Sequence, residues 1–543
     1  MWRPFNFSAL IRHSLKNCND SSVTWTGISI MKLPGIEFPH RRLFVDLFGE
    51  AVFLVGGTVR DYLLTAARRG GRDIDLVVTG RTYGEIEEIL SPHGRTGTVG
   101  KSFAVVKFTV DGMTYDVSVP RMDARLDPRR HSHRNFAILS GPKITLEEDL
   151  ARRDFTCNSM AMRLVDNELV DPFNGREALR QRRIVMTGPD TFADDPLRLL
   201  RCARFAAVLG FKVDPEIIRR AASIPLQELS RERVQEELFR LLLEPHRPSM
   251  GLDGYFRLSV LKQLFPELDR LALTIQDAQF HPETDAQGHH TVWAHTCITV
   301  DVARRCARLF ALDDNRSLAL LLAALLHDLG KSLTTTWEYK RGRMTVTSPL
   351  HDSHGVDMAA ALLERINVET RQGFPLKQAI LDLIRSHHRI YELYRNREEI
   401  GFKAVARLVK DMDGEDLLLS LLDYADRRSR EREPLNFVKP DAIFSWFRER
   451  TQEFNLNRET IRPLIMGRHL LQYGVHPGPA MGRWLERLYE RQLSGDFSTV
   501  DEGLSLFEQM MESNGSEKSK VESEKKVTGD RRQVTGKKRR GGS

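Results

Sequence analysis

Between Phe53 and about Val170, short β-branched apolar runs alternate with stretches of helical spacing: FLVGG, IDLVV, YGEIEEIL, FAVVKFTV and TYDVSV, then an arginine-rich loop and a helix. Strands and helices interleaved in this way predict an α/β sheet domain. Two stretches without a clear period, Ser91 to Lys101 (SPHGRTGTVGK) and Arg121 to Asn135, are rich in glycine or basic residues. Mobile loops are expected at both, the second ordering when substrate binds. From TFADDPLRLLRCARFAAVLGF onwards the period turns helical and stays so. That helix is expected to start at Asp195-Pro196, since Pro suits the first helical position and a preceding Asp caps free amides. SRERVQEELFRLLL predicts another helix with a Ser cap. From near His289, HTVWAHTCITVDVARR, LALLLAALLHDLGK, HDSHGVDMAAALLERI, AILDLIRSHHRI and DLLLSLLDYADRRSRE read as successive amphipathic helices whose polar faces carry His or Asp. More helices are expected from Leu435 to Glu512, with a break at VHPGPAMG.

These patterns divide the chain into an N-terminal extension (1–30), an α/β region (31–175), a helical region (176–285), the His- and Asp-bearing helices (286–432), further helices (433–513) and a basic tail (514–543). A chain of 543 residues has ample length for several buried cores. No apolar run approaches the ~20 residues of a spanning helix; Leu318 to Leu326 ends in His327 and Asp328 and reads as a buried helix. A membrane protein is not expected. The net charge of +7 is concentrated in the tail, where Asn514 to Ser543 holds ten Lys or Arg against four Asp or Glu, or +6. A case for nucleic acid must therefore rest on local sites. The tail has almost nothing to bury and is expected to be disordered, with salt-dependent RNA contacts as its functional option. Cys18, Cys157, Cys202, Cys297 and Cys306 show no Cys-x-x-Cys spacing and are expected as free thiols in a reducing, cytoplasmic setting. Residues 1–30 fit either a targeting segment or a start placed upstream of Met31.

Candidate chemistry begins with LVGGTVRDYLLTAARRGGRDIDLVV, Leu54 to Val78, which reads as strand, glycine turn, short helix, loop and second strand. On that second strand Asp73 and Asp75 are two apart and leave the sheet on the same face. Two carboxylates ~4 Å apart repel by ~4 kcal/mol at an effective dielectric of ~20, a cost a divalent cation between them removes. Solvated acids on a strand edge are the alternative. The Gly56-Gly57 turn favours the cation, because backbone amides without Cβ can approach phosphate oxygens. Asp116, on a neighbouring run, is a third candidate carboxylate. After Asp195, Arg198, Arg201 and Arg204 recur every third residue as a drifting stripe, either a solvated basic face with a capping Asp or a ligand-reading one. The second constellation is His295, His327-Asp328, His351 or His354, His387 or His388, and Asp423 or Asp426. A His-Asp pair ending an apolar helix, with His in the helices before and after, points to a metal centre rather than to packed core histidines.

The ordered set LVGGTVRD, RDIDLVV, LARRDFTCNSMA, DPFNG and FADDPLRLLRCARFAAVLGF resembles the bacterial class II CCA-adding enzymes and the related poly(A) polymerases, over about Phe53 to Leu243. The resemblance implies an α+β fold: a polymerase-β-like nucleotidyltransferase head with a mixed sheet, then an all-helical neck and body. It implies addition of CCA to the 3′ end of tRNA from CTP and ATP without a template. By position Asp73 and Asp75 match the metal carboxylates, with Mg2+ the implied ion and Asp116 a weaker third. Gly56, Gly57 and Arg60 match the nucleotide-binding turn, and Arg153 the arginine beside the triphosphate. Asp195, Arg198, Arg201 and Arg204 match the nucleotide-selecting helix; Asp194 stands where many members have Glu. The His/Asp series resembles the HD phosphohydrolases, implying a helical domain that holds a divalent transition metal through His295, His327, Asp328 and Asp426, with Asp423 able to replace Asp426. Its implied activity is removal of phosphate or 2′,3′-cyclic phosphate from tRNA ends.

Other readings share parts of this pattern. A poly(A) polymerase, or an enzyme adding only CC or only A, has the same head motifs, but poly(A) polymerases usually lack the His/Asp domain. A protein uridylyltransferase couples the same two domains but is expected to end in a βαββαβ sensing region, where this chain has helices. A non-catalytic RNA scaffold has no need of Asp73, Asp75 and the full His/Asp series together. Oligomeric state is not encoded in any of these motifs.

Overall fold

The computed structural model describes residues 31–32, 35–65, 74–98, 105–125, 136–340, 342–398, 402–431, 440–453, 463–493, 496–497 and 499–511. The N-terminal extension, Cys18, Asp73 and the basic tail lie outside them. The chain forms two compact units, Met1–Lys377 with Ser429–Leu435, and Gln378–Arg428 with Asn436–Ser543.

The first unit opens with a mixed sheet of eight strands in the order β1-β10-β9-β2-β3-β6-β5-β4. These are β1 (Met31–Lys32), β2 (Val52–Val55), β3 (Asp75–Val78), β4 (Arg95–Thr98), β5 (Val105–Val110), β6 (Met113–Ser118), β9 (Ala161–Arg163) and β10 (Glu168–Val170); β7 (Arg121–Arg125) and β8 (Phe136–Ser140) form a separate antiparallel pair. Every pair in the large sheet is antiparallel except β3 with β6. β2 is buried at all four positions, and β3 is buried except at Asp75, so the centre of the sheet is covered on both faces. One face packs Phe53, Val55, Val77 and Ala161 against Leu146 and Leu150 of the Leu146–Ala151 helix. On the other side Phe44 of the Arg41–Phe48 helix meets Tyr115 and Phe108 edge-on, at centroid distances of 5.0 and 5.9 Å.

Two of the expected loops differ. Arg95–Thr98 pairs with β5 as an edge strand, because alternation in RTGT satisfies a ladder that the glycines only loosen. Arg121–Arg125 is likewise strand; residues 126–135 lie outside the described ones.

Helices follow: Leu197–Leu209, Arg231–Leu243 (capped by Ser230 as expected), Pro248–Arg257, Val292–Leu309, Asp314–Leu326 and His351–Arg365. Leu318 to Leu326 is fully buried. The stretch Asp314–Thr334 has the length and apolarity of a membrane span, and most of it lies inside the protein. The helical series is interrupted by an unexpected hairpin, β13 (Thr336–Lys340) and β14 (Arg343–Thr347), after the short parallel pair β11 (Arg183–Ile184) and β12 (Lys212–Val213).

The second unit is helical, with Arg389–Arg395, Phe402–Asp411, Ala442–Glu453 and Pro479–Leu493 among its elements. Its C-terminal core gathers Ile465, Leu470, Met481, Leu488, Phe497 and Phe507, with Trp484 edge-on to Phe507 at 5.1 Å.

Candidate functional site

β2 ends at Val55, and the chain turns through Gly56 at φ 71° directly into the Gly57–Thr65 helix. That φ lies in the left-handed region that glycine alone enters freely, and a Cβ at Gly56 would stand 3.1 Å from the Arg153 guanidinium. The turn thus sets a helix N-terminus into the wall of a cleft of about 580 Å³. Val55, Gly56, Gly57, Arg60, Asp75, Asp116, Arg153, Asp195, Arg198 and Arg201 all line it. Among the described lining residues eight are arginines, against four aspartates, an excess that suits a polyanionic ligand.

Asp75 and Asp116 are direct partners on the two parallel strands, so their carboxylates leave the sheet at one level. Asp116 Oδ1 lies 3.0 Å from Lys107 Nζ. Paired carboxylate oxygens are hard donors, and the set fits a hard divalent cation.

The arginines are held by buried acids. Asp149, nearly inaccessible, bridges Arg152 at 3.1 Å and Arg153 at 3.0 Å and accepts the Arg121 amide. Burial would raise its carboxyl, but the two guanidinium groups and these hydrogen bonds outweigh that and hold it below the usual range. Asp154 is in the same position: burial raises, while Arg201 at 2.7 Å, the Asn158 amide and nearby Arg198 prevail and lower it. Asn158 also accepts from Arg60 at 2.8 Å. Phe205 lies beneath, with the guanidinium groups of Arg60 and Arg201 5.4 and 5.5 Å from its ring centre. Asp149, Asp154, Asn158 and Phe205 were not singled out from the sequence; the only signal was the place of Asp154 and Asn158 within LARRDFTCNSMA, of Asp149 immediately before it, and of Phe205 in the Leu197–Leu209 helix.

Asp195 stands at the entrance to the Leu197–Leu209 helix, one to two residues before its first turn, and accepts the Leu197 amide at 3.2 Å. Its two oxygens also accept from Arg233 Nη2 at 3.1 and 2.9 Å, an anchor the sequence did not reveal because it comes from the Arg231–Leu243 helix. Arg198 and Arg201 share the cleft wall. Arg204 does not: it is buried, bound to Glu237 and Glu244 at 2.8 Å each. A three-residue spacing falls short of a full 3.6-residue turn by about 60°, so the third member has rotated about 120° from the first. Spacing alone grouped Arg204 with residues that point elsewhere.

A second cluster forms in the helices of the same unit. His295, His327 and Asp328 are all buried, with His327 Nε2 3.3 Å and His295 Nε2 3.7 Å from Asp328 Oδ2. His327 Nδ1 lies 2.9 Å from the Ala324 carbonyl, and His295 Nδ1 lies 2.8 Å from Glu283 Oε1 and 3.0 Å from Ser429 Oγ. With Nδ1–H donated to the carbonyl and the carboxylate, both rings present the Nε2 lone pair to the Asp328 carboxylate, a donor set that fits a divalent transition metal. Glu283 was missed by sequence reading; it also accepts from His281, at 2.9 Å. Burial would raise Glu283, but the two histidine hydrogen bonds hold it at about 2. Lys331 Nζ is 2.8 Å from Asp328 Oδ2, and His351 Nε2 is 3.7 Å from Oδ1. His354, the alternative to His351, is exposed. Gly330 makes this packing possible: a Cβ there would lie 2.0 Å from the His351 carbonyl oxygen.

In the second unit Asp423 and Asp426 are both buried on the Asp416–Ser429 helix. Arg427 binds Asp423 at 2.8 Å, which commits that carboxylate to an ion pair. Burial pushes Asp423 up to about 6 despite Arg427. His387 is buried and His388 half-buried. Cys157, Cys202 and Cys306 are buried thiols, and Cys297 is half-buried.

Comparison with known proteins adds independent findings. Residues 52–185 match the poly A polymerase head domain, residues 210–271 the probable RNA and SrmB-binding site of polymerase A, and residues 292–431 the HD domain. The multifunctional CCA protein of Xanthomonas campestris pv. campestris (strain B100) is 34% identical over 397 residues, covering 70% of this chain and 85% of its own. That of Stenotrophomonas maltophilia (strain K279a) is 36% identical over 350 residues, covering 63% and 77%. Among solved structures, a CCA-adding enzyme in its apo form II has a TM-score of 0.58 at 21% identity, over 88% of this chain and 97% of its own.

Proposed function

The chain belongs to the family of multifunctional CCA proteins, and on that premise we propose that it adds C, C and A to the 3′ end of tRNA from CTP and ATP. The observation that carries this reading is one cleft lined by Asp75 and Asp116, the Gly56-Gly57 turn with Arg60 and Arg153, and the pair Asp195 and Arg198.

In the reaction the 3′-hydroxyl oxygen of tRNA bonds to the α-phosphorus while the bond to the pyrophosphate oxygen breaks. The hydroxyl loses its proton and pyrophosphate leaves. Asp75 and Asp116, with Asp73 from the sequence, would hold a divalent ion, proposed here as Mg2+, which would lower the hydroxyl pKa and neutralise charge at the reacting phosphate. The remaining steps belong to the chain's own side chains. Arg60 and Arg153 offer planar, multi-donor contacts to the triphosphate, supported by the amides of the Gly57–Thr65 helix N-terminus. Asp195 accepts from the exocyclic amine of cytosine or adenine, and Arg198 donates to the ring acceptor beside it. Arg201, tied to Asp154, keeps the wall of this base site in place. Incubating the protein with tRNAs that lack CCA, end in C or end in CC, each with CTP, ATP and magnesium, tests the proposal. Completion of all three to CCA is expected; long poly(A) products would make it a poly(A) polymerase, and stalling at CC a partial enzyme.

The HD domain is proposed to remove phosphate or 2′,3′-cyclic phosphate from tRNA ends, with His295, His327 and Asp328 as ligands of a divalent transition metal. Such an ion supplies a hydroxide at neutral pH for attack on phosphorus. Glu283 and the Ala324 carbonyl keep the two imidazoles turned toward it. His327→Ala is expected to weaken metal binding by more than the ~10–100-fold that loss of an outer partner costs. It should abolish hydrolysis of a 2′,3′-cyclic phosphate while CCA addition is unchanged, read by calorimetric metal titration alongside the two assays.

A further inference from the structure

The β13–β14 hairpin carries three large exposed side chains, Trp337, Tyr339 and Met344, at 59%, 72% and 53% exposure. Trp337 and Tyr339 are two apart on β13, and Tyr339 is the cross-strand partner of Met344, so the three share one face. The opposite face is fixed to the body of the unit: Thr345 is buried and donates to Asp277 Oδ2 at 2.5 Å, and Arg343 reaches the same carboxylate at 3.3 Å. The aromatic face is therefore held outward by the fold.

Its position links it to the His/Asp cluster. The residue before Asp277, Gln276, accepts from Lys331 Nζ at 3.0 Å, and Lys331 is 2.8 Å from Asp328. The hairpin leaves the chain five residues after Lys331 and returns four residues before His351, the two residues flanking Asp328. Thr335 and Ser348 close its base with a hydroxyl pair at 2.8 Å. Between Thr336 and Thr347 the sequence holds Lys340, Arg341 and Arg343 against Glu338, a net +2.

We propose that this hairpin is a stacking platform for the unpaired 3′ nucleotides of an RNA whose terminal phosphate enters the His/Asp cluster. Two aromatic faces one strand-rung apart, on a cationic hairpin rooted beside a phosphate-handling site, match a polyanionic strand with successive bases. The terminal nucleotide occupies the cluster, and the nucleotides preceding it stack on Trp337 and Tyr339. This rests on the phosphohydrolase reading of the cluster.

The test uses the full chain with Trp337→Ala/Tyr339→Ala and Trp337→Phe/Tyr339→Phe double variants. The alanine pair should raise KM for a tRNA ending in 2′,3′-cyclic phosphate by about tenfold or more, with kcat and CCA addition unchanged. Hydrolysis of a 2′,3′-cyclic mononucleotide, which does not reach the hairpin, should stay the same, and the phenylalanine pair should restore KM. An unchanged KM for the tRNA overturns the proposal, as does an equal loss on the mononucleotide, which would mean the hairpin only supports the cluster. Binding is read separately, as quenching of Trp337 fluorescence (wild type minus Trp337→Phe) by a short single-stranded RNA bearing a 3′-phosphate. If the wild type hydrolyses neither substrate the phosphohydrolase reading fails, while quenching still decides for the hairpin and its absence decides against it. A shift from dimer to monomer by sedimentation in the alanine pair, with the KM for the tRNA unchanged, assigns the face to a second copy and overturns the proposal.

Discussion

Asp75→Asn is expected to reduce CMP and AMP incorporation into tRNA by about 10³-fold or more, with the fold intact. The size follows from what the carboxylate does in the proposed site. A bound divalent ion contributes several kcal/mol of charge stabilisation at the reacting phosphate, and each ~1.36 kcal/mol is tenfold in rate. Asn keeps the shape of Asp at the start of β3, where the side chain is exposed and the strand is secured by Leu76, Val77 and Val78, so melting temperature should hardly move. Binding of CTP in the absence of metal should also persist, because Asn158 holds Arg60 and Asp149 holds Arg153. Incorporation of labelled CTP, with calorimetric CTP binding as the control, separates the two effects. Wild-type rates in the variant would remove Asp75 from the chemistry and leave it a solvated strand-edge acid.

How much of this was legible in the chain depended on whether a feature was local. The strand–glycine–helix turn at Gly56, the Ser230 cap and the buried Leu318 to Leu326 helix each follow from neighbours in sequence, and all are present. The mixed sheet was legible too, though the direct pairing of Asp75 with Asp116 was not, since it depends on β3 and β6 running parallel within an otherwise antiparallel large sheet. The anchors were hidden for a related reason. Arg233 reaches Asp195 from 38 residues away, and Asp154 reaches Arg201 across 47. Glu283 lies in the loop before the Val292–Leu309 helix, with no periodic pattern to mark it. The hairpin was overlooked because helices surround it, although WEYKRGRMTV alternates and turns at an Arg-Gly pair. In each case the missing information was a tertiary partner, which spacing along one element does not carry.

Arg204 and Asp195 illustrate opposite outcomes of the same helix, and they bear on nucleotide choice. Arg204 is spent on Glu237 and Glu244 and ties the selecting helix to the Arg231–Leu243 helix. Arg233 on that second helix then fixes Asp195, so the carboxylate proposed to read the base is held from behind by a two-helix frame. A preorganised acceptor discriminates better than a mobile one, because it cannot turn away from a base that fails to donate.

Asp195→Ala is accordingly expected to blunt discrimination against UTP and GTP. Cytosine and adenine place an exocyclic amine beside a ring acceptor, and uracil and guanine do not offer that pair on the same edge. Opposite Asp195 and Arg198 the wrong base leaves buried polar groups unmatched, at ~1–3 kcal/mol each, or roughly 10- to 10²-fold per group. Removing the carboxylate abolishes the penalty on its side and frees Arg233 in the cleft, where a loose guanidinium can bind carbonyl-bearing bases. The ratio of kcat/KM for CTP over UTP should therefore fall by at least the tenfold assigned to one group, while the intact metal carboxylates still support transfer. Arg233→Ala should give a weaker form of the same defect, since Asp195 remains but loses its anchor. Misincorporation is read by sequencing the 3′ ends of tRNA products made with all four nucleotides. If selectivity survived and only the overall rate dropped, Asp195 would be acting through its hydrogen bond to the Leu197 amide, as a cap that starts the helix, and base choice would lie with other residues of the cleft.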